Sequence, residues 1–468
     1  MTSIHASSTS RTKTIDLGDG LIMRWSTNTD SKNVEELVGE TYKWKVFGPS
    51  LDPGETPGHN QLFKAGECGT MSEFNYALVE DTKRSDGKNP IVACVSIHRL
   101  RVYCGSVKLF FGKPELIATD IEYKNRGLAK RLIFEMIHLE SEARGDTLQF
   151  ISGIPNFYRQ FGYCAPMAQE PSRTSTLPSQ AKDKTEPITL RRAAAADIPY
   201  LITKSAPDIV SPYTTVGLLY GPEYWQYTVH DFLEIKQSEH DVARDTFILV
   251  REATDKDVNF VVASHVFGLK LEAFVLDKDV YLHGALAVRK AYLEAKKAKT
   301  TNLEAAKAIN TASFPMALQI HSNHPAIALL EHLLAPAPTK PGNRLYVCID
   351  DYPQLIRLVA PELEKRLENS PLAGLSGKLQ RNFFHKVEGN KGKGLEMELK
   401  EGKIVEVKNW AKPLPEQEVE DYLALKARGE EDKIPTLYEA TLAPLTFSNL
   451  LTGDQSLDDL KWSYGETY

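Results

Sequence analysis

Four residues in a row, Lys124, Asn125, Arg126 and Gly127, make a charged turn, with Lys130 and Arg131 just beyond it. A helix that opens at such a turn presents backbone N–H groups lacking intrahelical partners and a partial positive charge. That combination suits a phosphate group, and a glycine lets the ligand come close to the backbone. Some thirty residues later stands Tyr158, a phenol that could donate a proton. The elements needed to hold these groups can be read on either side. An apolar strand at Leu116 to Ala118 leads into the turn, and the following helix shows Ala129, Leu132, Ile133, Met136 and Ile137 on one face. A second apolar strand, Leu148 to Ile151, passes through Gly153 and Pro155 into the short helix FYRQFGY. Tyr158 has a competing reading as a packing residue among Phe157, Phe161 and Tyr163.

The stretch from Leu116 to Tyr163 resembles the GNAT family of N-acetyltransferases. The family's pyrophosphate loop, Q/R-x-x-G-x-G/A, is matched by Lys124-Asn125-Arg126-Gly127-Leu128-Ala129, with lysine in the first place. The family's Y-x-x-F/L-G-Y/F ending is matched by Tyr158, Phe161, Gly162 and Tyr163. The resemblance implies acetyl-CoA as acetyl-donor cosubstrate. Its contacts would fall on the backbone of Ile117, Ala118 and Thr119, where backbone N–H groups would meet an oxyanion. The loop Lys124, Asn125, Arg126, Gly127, Leu128, Ala129 and Lys130 would take the pyrophosphate.

The whole chain has 468 residues, 42% hydrophobic and 25% charged, with a net charge of −6. At ~150 residues per domain it is expected to hold three domains of an ordinary soluble globular kind. The mild acidity gives no reason to expect attraction to nucleic acid, and no apolar run is long enough to span a membrane. The five cysteines are scattered without metal spacing and read as reduced thiols. The opening MTSIHASSTSRTKT has no apolar core, so a short flexible lead on a cytoplasmic protein is expected.

In order, residues 1–14 are a flexible lead and 15–164 the catalytic GNAT unit. Within it a strand is expected from Ile15 to about Trp25, a helix from Asn28 to Tyr42, and strands at Asn75–Glu80, Ile91–Arg101 and Val107–Phe111. Residues 45–70, rich in Pro and Gly, are either substrate-side loops or a solvent loop anchored by aromatics. Residues 165–186 are expected to be a linker. The chain then starts again with a strand and an Asp-initiated helix at Ile188–Leu201. ALQIHSNHPAIALLEHLL (Ala317 to Leu334) resembles a later GNAT segment without its tyrosine and glycine, so 187–343 is expected to be a degenerate GNAT-like domain with no cofactor site. His321, His324 and His332 lack the companions of a metal site and are expected on the surface or capping helices. The glycines between Gly389 and Gly394 are expected in a hairpin turn.

From about Arg344 the pattern is that of an α+β unit. Helices are expected at Tyr352–Leu367 and Leu437–Leu451, and a hairpin pairs Leu395, Met397 and Leu399 with Ile404–Val407. Residues 344–468 resemble the sterol carrier protein fold. The expected fold class is thus α/β (α+β): two GNAT-like mixed-sheet domains followed by a sterol-carrier-like α+β domain.

That order resembles the enhanced intracellular survival (Eis) type of N-acetyltransferase. The type implies direct attack by a primary amine on acetyl-CoA in a ternary complex, the amine being a small molecule such as a polyamine or aminoglycoside, or a lysine side chain. It also implies a homo-oligomer. By position the general acid is Tyr158 and the general base the C-terminal carboxylate, that of Tyr468. The chemistry asks for a base, because an alkyl ammonium with a pKa near ~10.4 cannot attack a thioester. Tyr468 ends the aromatic-rich KWSYGETY, which favours docking over a frayed end; Asp120, Glu122 and Glu466 are alternative bases. Two other classes stay open: a protein-lysine acetyltransferase, and a non-catalytic acetyl-CoA- or lipid-binding scaffold.

Overall fold

The computed structural model describes residues 14–42, 75–85, 87–154, 157–168, 173–175, 188–206, 216–226, 229, 244–252, 254, 256–264, 269–275, 281–299, 316–318, 324–336, 344–371, 373–383, 394–410 and 437–442. The expectations for residues 45–70, the Gly389 loop, His321, Glu466 and Tyr468 lie outside them.

The chain opens with a hairpin, β1 (Ile15–Gly18) and β2 (Leu21–Trp25), and then α1 (Ser31–Tyr42). Strands β3 (Tyr76–Asp81), β4 (Ile91–Cys104) and β5 (Val107–Thr119) follow. The strands expected at Val107 and Leu116 are thus one continuous element, joined to β4 by the two-residue turn Gly105–Ser106. The carboxylate of Glu362 caps this turn, accepting from both Ser106 N–H and Oγ at 2.7 Å. The helix after the basic turn, here α2, runs through Leu128–Leu132, a π-helical turn Ile133–Ile137 and His138–Ala143. Its buried face carries Leu128, Leu132, Ile133, Met136 and Ile137, while Ala129 is only half-buried. Next come β6 (Leu148–Ser152) and a 3₁₀ turn, Phe157–Phe161.

Two strands, β7 (Cys164–Ala168) and β8 (Arg173–Ser175), fall where a linker is expected. Polar composition alone hides them, because their partners lie far along the chain: β7 pairs with Arg344–Cys348 and β8 with Met316–Leu318. Then come β9 (Ile188–Arg192), α3 (Ile198–Lys204), β10 (Val216–Leu218) and α4 (Pro222–Gln226). Strands β11 (Arg244–Arg251), β12 (Lys256–Ser264) and β13 (Leu269–Val275) precede the long α5 (Tyr281–Lys299). Strand β14 (Met316–Leu318) and α6 (Pro325–Leu330) follow, and His324 caps α6 by accepting the Ala326 N–H at its Nδ1. The last part holds β15 (Arg344–Cys348), α7 (Tyr352–Glu368), β16 (Gly377–Phe383), β17 (Gly394–Lys400), β18 (Lys403–Trp410) and β19 (Leu437–Leu442). Residues 437–442 are a strand rather than the start of a helix, because they find a parallel partner in β16.

Among the described residues the strands form three sheets. The first is mixed, in the order β1-β2-β3-β4-β5-β6-β15-β7, with β10 against the far end of β4. The second runs β8-β14-β13-β12-β11-β9 and the third β18-β17-β16-β19. The first sheet is covered on both faces, which is why its central strands are largely buried on both. One face packs Cys94, Leu100 and Phe111 against Val34, Leu37 and Val38 of α1. The other packs Val95 and Ile97 against Leu132, Ile133, Met136 and Ile137 of α2. Strand β15, which sequence places at the head of the third unit, lies antiparallel between β6 and β7 of the first.

The class is therefore mixed α/β. Among the described residues no helix is long and apolar enough to cross a membrane. Four cysteines there, Cys94, Cys104, Cys164 and Cys348, are free. Burial pushes the Cys94 thiol up to about 12 and those of Cys104 and Cys164 up to about 11.

Candidate active site

The parallel register between β5 and β6 covers Phe111 with Leu148 and Gly112 with Gln149. Beyond Gly112 the strands part, although β5 continues to Thr119 and β6 to Ser152. On its other side β5 stays paired with β4, but the register shifts between Cys94 and Ser96, where one extra residue enters β5. Leu116 takes a φ of 52° there. A bulge of this kind bends a strand and re-aims the residues beyond it. Those residues are Ile117, Ala118 and Thr119, so the three expected to line the acyl group do lie along the diverging segment. Ala118 is buried, and Ile117 and Thr119 are half-buried.

The turn beyond is built by Asp120, which accepts the N–H of Glu122, and by Asn125 and Gly127, whose φ values of 64° and 75° are both left-handed. The first backbone bond of α2 runs from Arg131 N–H to Gly127 C=O at 3.0 Å, so the N–H groups ahead of Arg131 face outward from the helix start. A Cβ built on Gly127 meets nothing within 4 Å. The glycine is thus demanded by its φ, and the space beside it is open. Lys124, Asn125, Arg126 and Lys130 are exposed, while Leu128 is buried and anchors the turn. The Arg126 guanidinium lies 4.5 Å from the Tyr123 ring centre and donates to the Glu122 carbonyl. These residues could hold a diphosphate with backbone donors and exposed cations.

Asp120 and Glu122 are already engaged. Arg84 bonds Asp120 at 2.7 Å and Glu122 at 3.0 Å, and Lys88 reaches Glu122 at 2.8 Å. Burial would raise the Asp120 carboxyl, but the Glu122 N–H and Arg84 outweigh it and hold the group below the usual carboxylate range. As a base Asp120 is thereby disfavoured.

Tyr158 sits in the 3₁₀ turn and is 7% exposed. Its Oη would lie 3.0 Å from a Cβ on Gly153, a residue with φ of +135° just past the end of β6. Glycine there makes room for the hydroxyl, which therefore lies just past the end of β6, on the side to which β6 runs after leaving β5. Tyr158 shares one buried cluster with Tyr123, Leu128, Phe161, Tyr163 and Tyr346, and Ile117 packs against it. The fully buried Tyr346 of β15 has its ring centre 5.5 Å from that of Tyr158. Its contribution is invisible in the sequence, since only strand pairing brings it there.

A second group is also unforeseen. His98 stands opposite Lys113 and Ser96 opposite Glu115 in the β4–β5 register, so all four share the α1 face. Lys113 pairs with Glu115, whose other oxygen lies 3.6 Å from His98 Nε2, and the three side chains are no more than 7% exposed. Alternation of polar and apolar residues announces the strand; that α1 covers the polar face is a tertiary fact.

No curated protein matches the chain in sequence. Among solved structures it is similar to a protein of Enterococcus faecalis described as a probable N-acyltransferase, at 12% identity and a TM-score of 0.53, over 92% of this chain and 90% of that one. A GCN5-related N-acetyltransferase from Kribbella flavida is 13% identical with a TM-score of 0.51, over 93% and 95% of the two chains. Another, from Anabaena variabilis, is 12% identical with a TM-score of 0.53, over 84% and 86%. At such identities the likeness is one of fold. Residues 63–165 match the family described as Acetyltransferase (GNAT) domain. The parted strands, the open helix start and the phenol beside them fall inside that match, and the chain therefore carries a GNAT acetyltransferase domain.

Proposed function

We propose that the protein is an N-acetyltransferase that moves the acetyl group of acetyl-CoA to a primary amine by direct attack in a ternary complex. The observation that carries this is the parting of β5 and β6 beyond Gly112, followed in β5 by the bulge at Leu116 and then by an exposed helix start with open space at Gly127. The cosubstrate supplies a thioester. Lys124, Asn125, Arg126, Gly127, Leu128, Ala129 and Lys130 hold its diphosphate, and backbone N–H groups along Ile117–Thr119 meet the charge that grows on the acyl oxygen. Tyr158 gives its proton to the departing sulfur.

The base is assigned to the carboxylate of Tyr468, as in Eis-type enzymes, with residues 165–186 joining the catalytic unit to a degenerate GNAT-like domain (187–343) and a sterol-carrier-like unit (344–468). Glu115 is a second candidate: it is a buried carboxylate immediately before the bulge, on the face covered by α1, and acts as a base only by giving up its pairing with Lys113. Cytoplasmic location and homo-oligomerisation belong to the same proposal.

The test is thiol release from acetyl-CoA with a panel of primary amines, comprising polyamines, aminoglycosides and a lysine peptide. Release with at least one small amine is expected; release with the peptide alone makes the enzyme a protein-lysine acetyltransferase. Binding of acetyl-CoA without release in any arm would reduce the protein to a scaffold.

A further inference from the structure

Behind Tyr158 lies a closed set of polar side chains that the proposed reaction does not use. Gln149, fully buried on β6, is its centre. Its Oε1 accepts from Tyr163 Oη at 2.6 Å, and its Nε2 donates to His138 Nδ1 at 2.9 Å and to Asp350 Oδ2 at 3.3 Å. His138, the first residue after the π turn of α2, then uses Nε2 to donate to the Phe161 carbonyl at 3.1 Å. Burial raises the Tyr163 phenol well above its ordinary value, so it stays protonated and is the donor in its bond to Gln149. Cys348 closes the set with its thiol toward Asp350 Oδ1 at 3.6 Å.

His138, Cys348 and Asp350 bring potential ligand atoms within 4.8 Å of one another, which invites comparison with a metal site. The hydrogen bonds point elsewhere. Both ring nitrogens of His138 are committed, and burial raises the Cys348 thiol well above its ordinary value, away from the thiolate a metal needs. What the set does hold is the turn that carries Tyr158. The Phe161 carbonyl is tied by His138, Tyr163 is tied by Gln149, and the Tyr158 carbonyl accepts the Tyr163 N–H at 3.4 Å. The turn is thus pinned just beyond Tyr158, to α2 and to β6.

We infer that Gln149, with Tyr163, His138 and Asp350, is a positioning device for Tyr158, fixing its turn so that the phenol stays beside Gly153, just past the end of β6. This rests on the reading of Tyr158 as the proton donor. None of the four touches the reacting atoms. A phenol displaced by about 1 Å loses much of its value as an acid, while the diphosphate loop, whose turn is built by Asp120, Asn125 and Gly127, takes no hydrogen bond from the four.

A double-mutant cycle with the full chain tests this, using acetyl-CoA and the primary amine that gives the fastest thiol release. Tyr163→Phe and Gln149→Met should each lower kcat about tenfold and leave KM for acetyl-CoA within about twofold. In a Tyr158→Phe background neither should lower kcat further, because there is no acid left to place. The same fold-loss in both backgrounds, or unchanged kcat in the wild-type background, overturns the inference while leaving Tyr158 as the acid. If Tyr158→Phe alone has no effect, the acid assignment itself fails and the positioning role falls with it. Melting temperatures are measured throughout; should Gln149→Met not fold, Tyr163→Phe, which removes one oxygen, carries the test alone.

Discussion

Replacing Gly127 separates two effects that most site mutations mix. In the unliganded protein a Cβ at this position meets no atom within 4 Å, so packing does not oppose it. The backbone does: at φ of +75° a non-glycine residue costs about 1–2 kcal/mol. At about 2–4 °C per kcal/mol for a domain of this size, Gly127→Ala should lower the melting temperature by a few degrees. Acetyl-CoA binding should suffer more, since the open space is what the diphosphate would fill. A like charge about 4 Å away costs between about 1 kcal/mol in water and about 4 kcal/mol at a partly screened surface. Gly127→Glu should therefore weaken binding about a hundredfold, which corresponds to about 2.7 kcal/mol, with Gly127→Ala nearer tenfold. Isothermal titration calorimetry with acetyl-CoA, beside thermal melts, reads both quantities. Near-normal affinity of Gly127→Glu, at the expected small loss of stability, would show that the diphosphate binds elsewhere.

Tyr158→Phe should lower kcat by roughly tenfold to a thousandfold with little change in acetyl-CoA affinity; lost affinity at unchanged turnover would make it a packing residue. A few residues appended after Tyr468 should abolish most turnover by displacing the terminal carboxylate, whereas full activity beside loss in Glu115→Gln would move the base to Glu115. Asp120, held below the usual range in the fold, stabilises above its unfolded pKa of about 3.9, and that contribution is lost as pH falls through the lower folded value. Asp120→Asn should therefore cost about 1–3 kcal/mol at pH 7, and its deficit against wild type should shrink in acid; a deficit independent of pH would contradict the ion pair.

What the sequence makes legible is what is local. The turn Lys124–Gly127, the helix face of Leu132, Ile133, Met136 and Ile137, and the Tyr158–Tyr163 segment each declare themselves within a few residues through period, charge or glycine. The parting of β5 and β6 follows from none of them alone, and the place of Tyr346 depends on a strand pairing that spans half the chain. Residues 437–442 misled for the same reason: Leu437, Tyr438, Ala440 and Leu442 suit either a helix or a strand, and only the presence of β16 decides. Buried charge is equally silent. Lys113 and Glu115 look like the wet side of a strand until α1 is laid over them.

The insertion of β15 between β6 and β7 bears on how the protein is made. A ribosome delivers β6 and β7 early, yet the strand that must lie between them emerges only after residue 344. Until then both strands present unpaired edges, the kind that recruit other chains. Non-local closure of this sort is slow, since the chain must be looped back before any contact rewards it. Synthesis of the nascent polypeptide therefore passes through a stage in which β1 to β7 exist but their sheet has a gap, and chaperone dependence or aggregation of truncated products is expected at that stage. A gene fragment ending near residue 186 would be frozen there, with Tyr158 lacking the wall that Tyr346 provides.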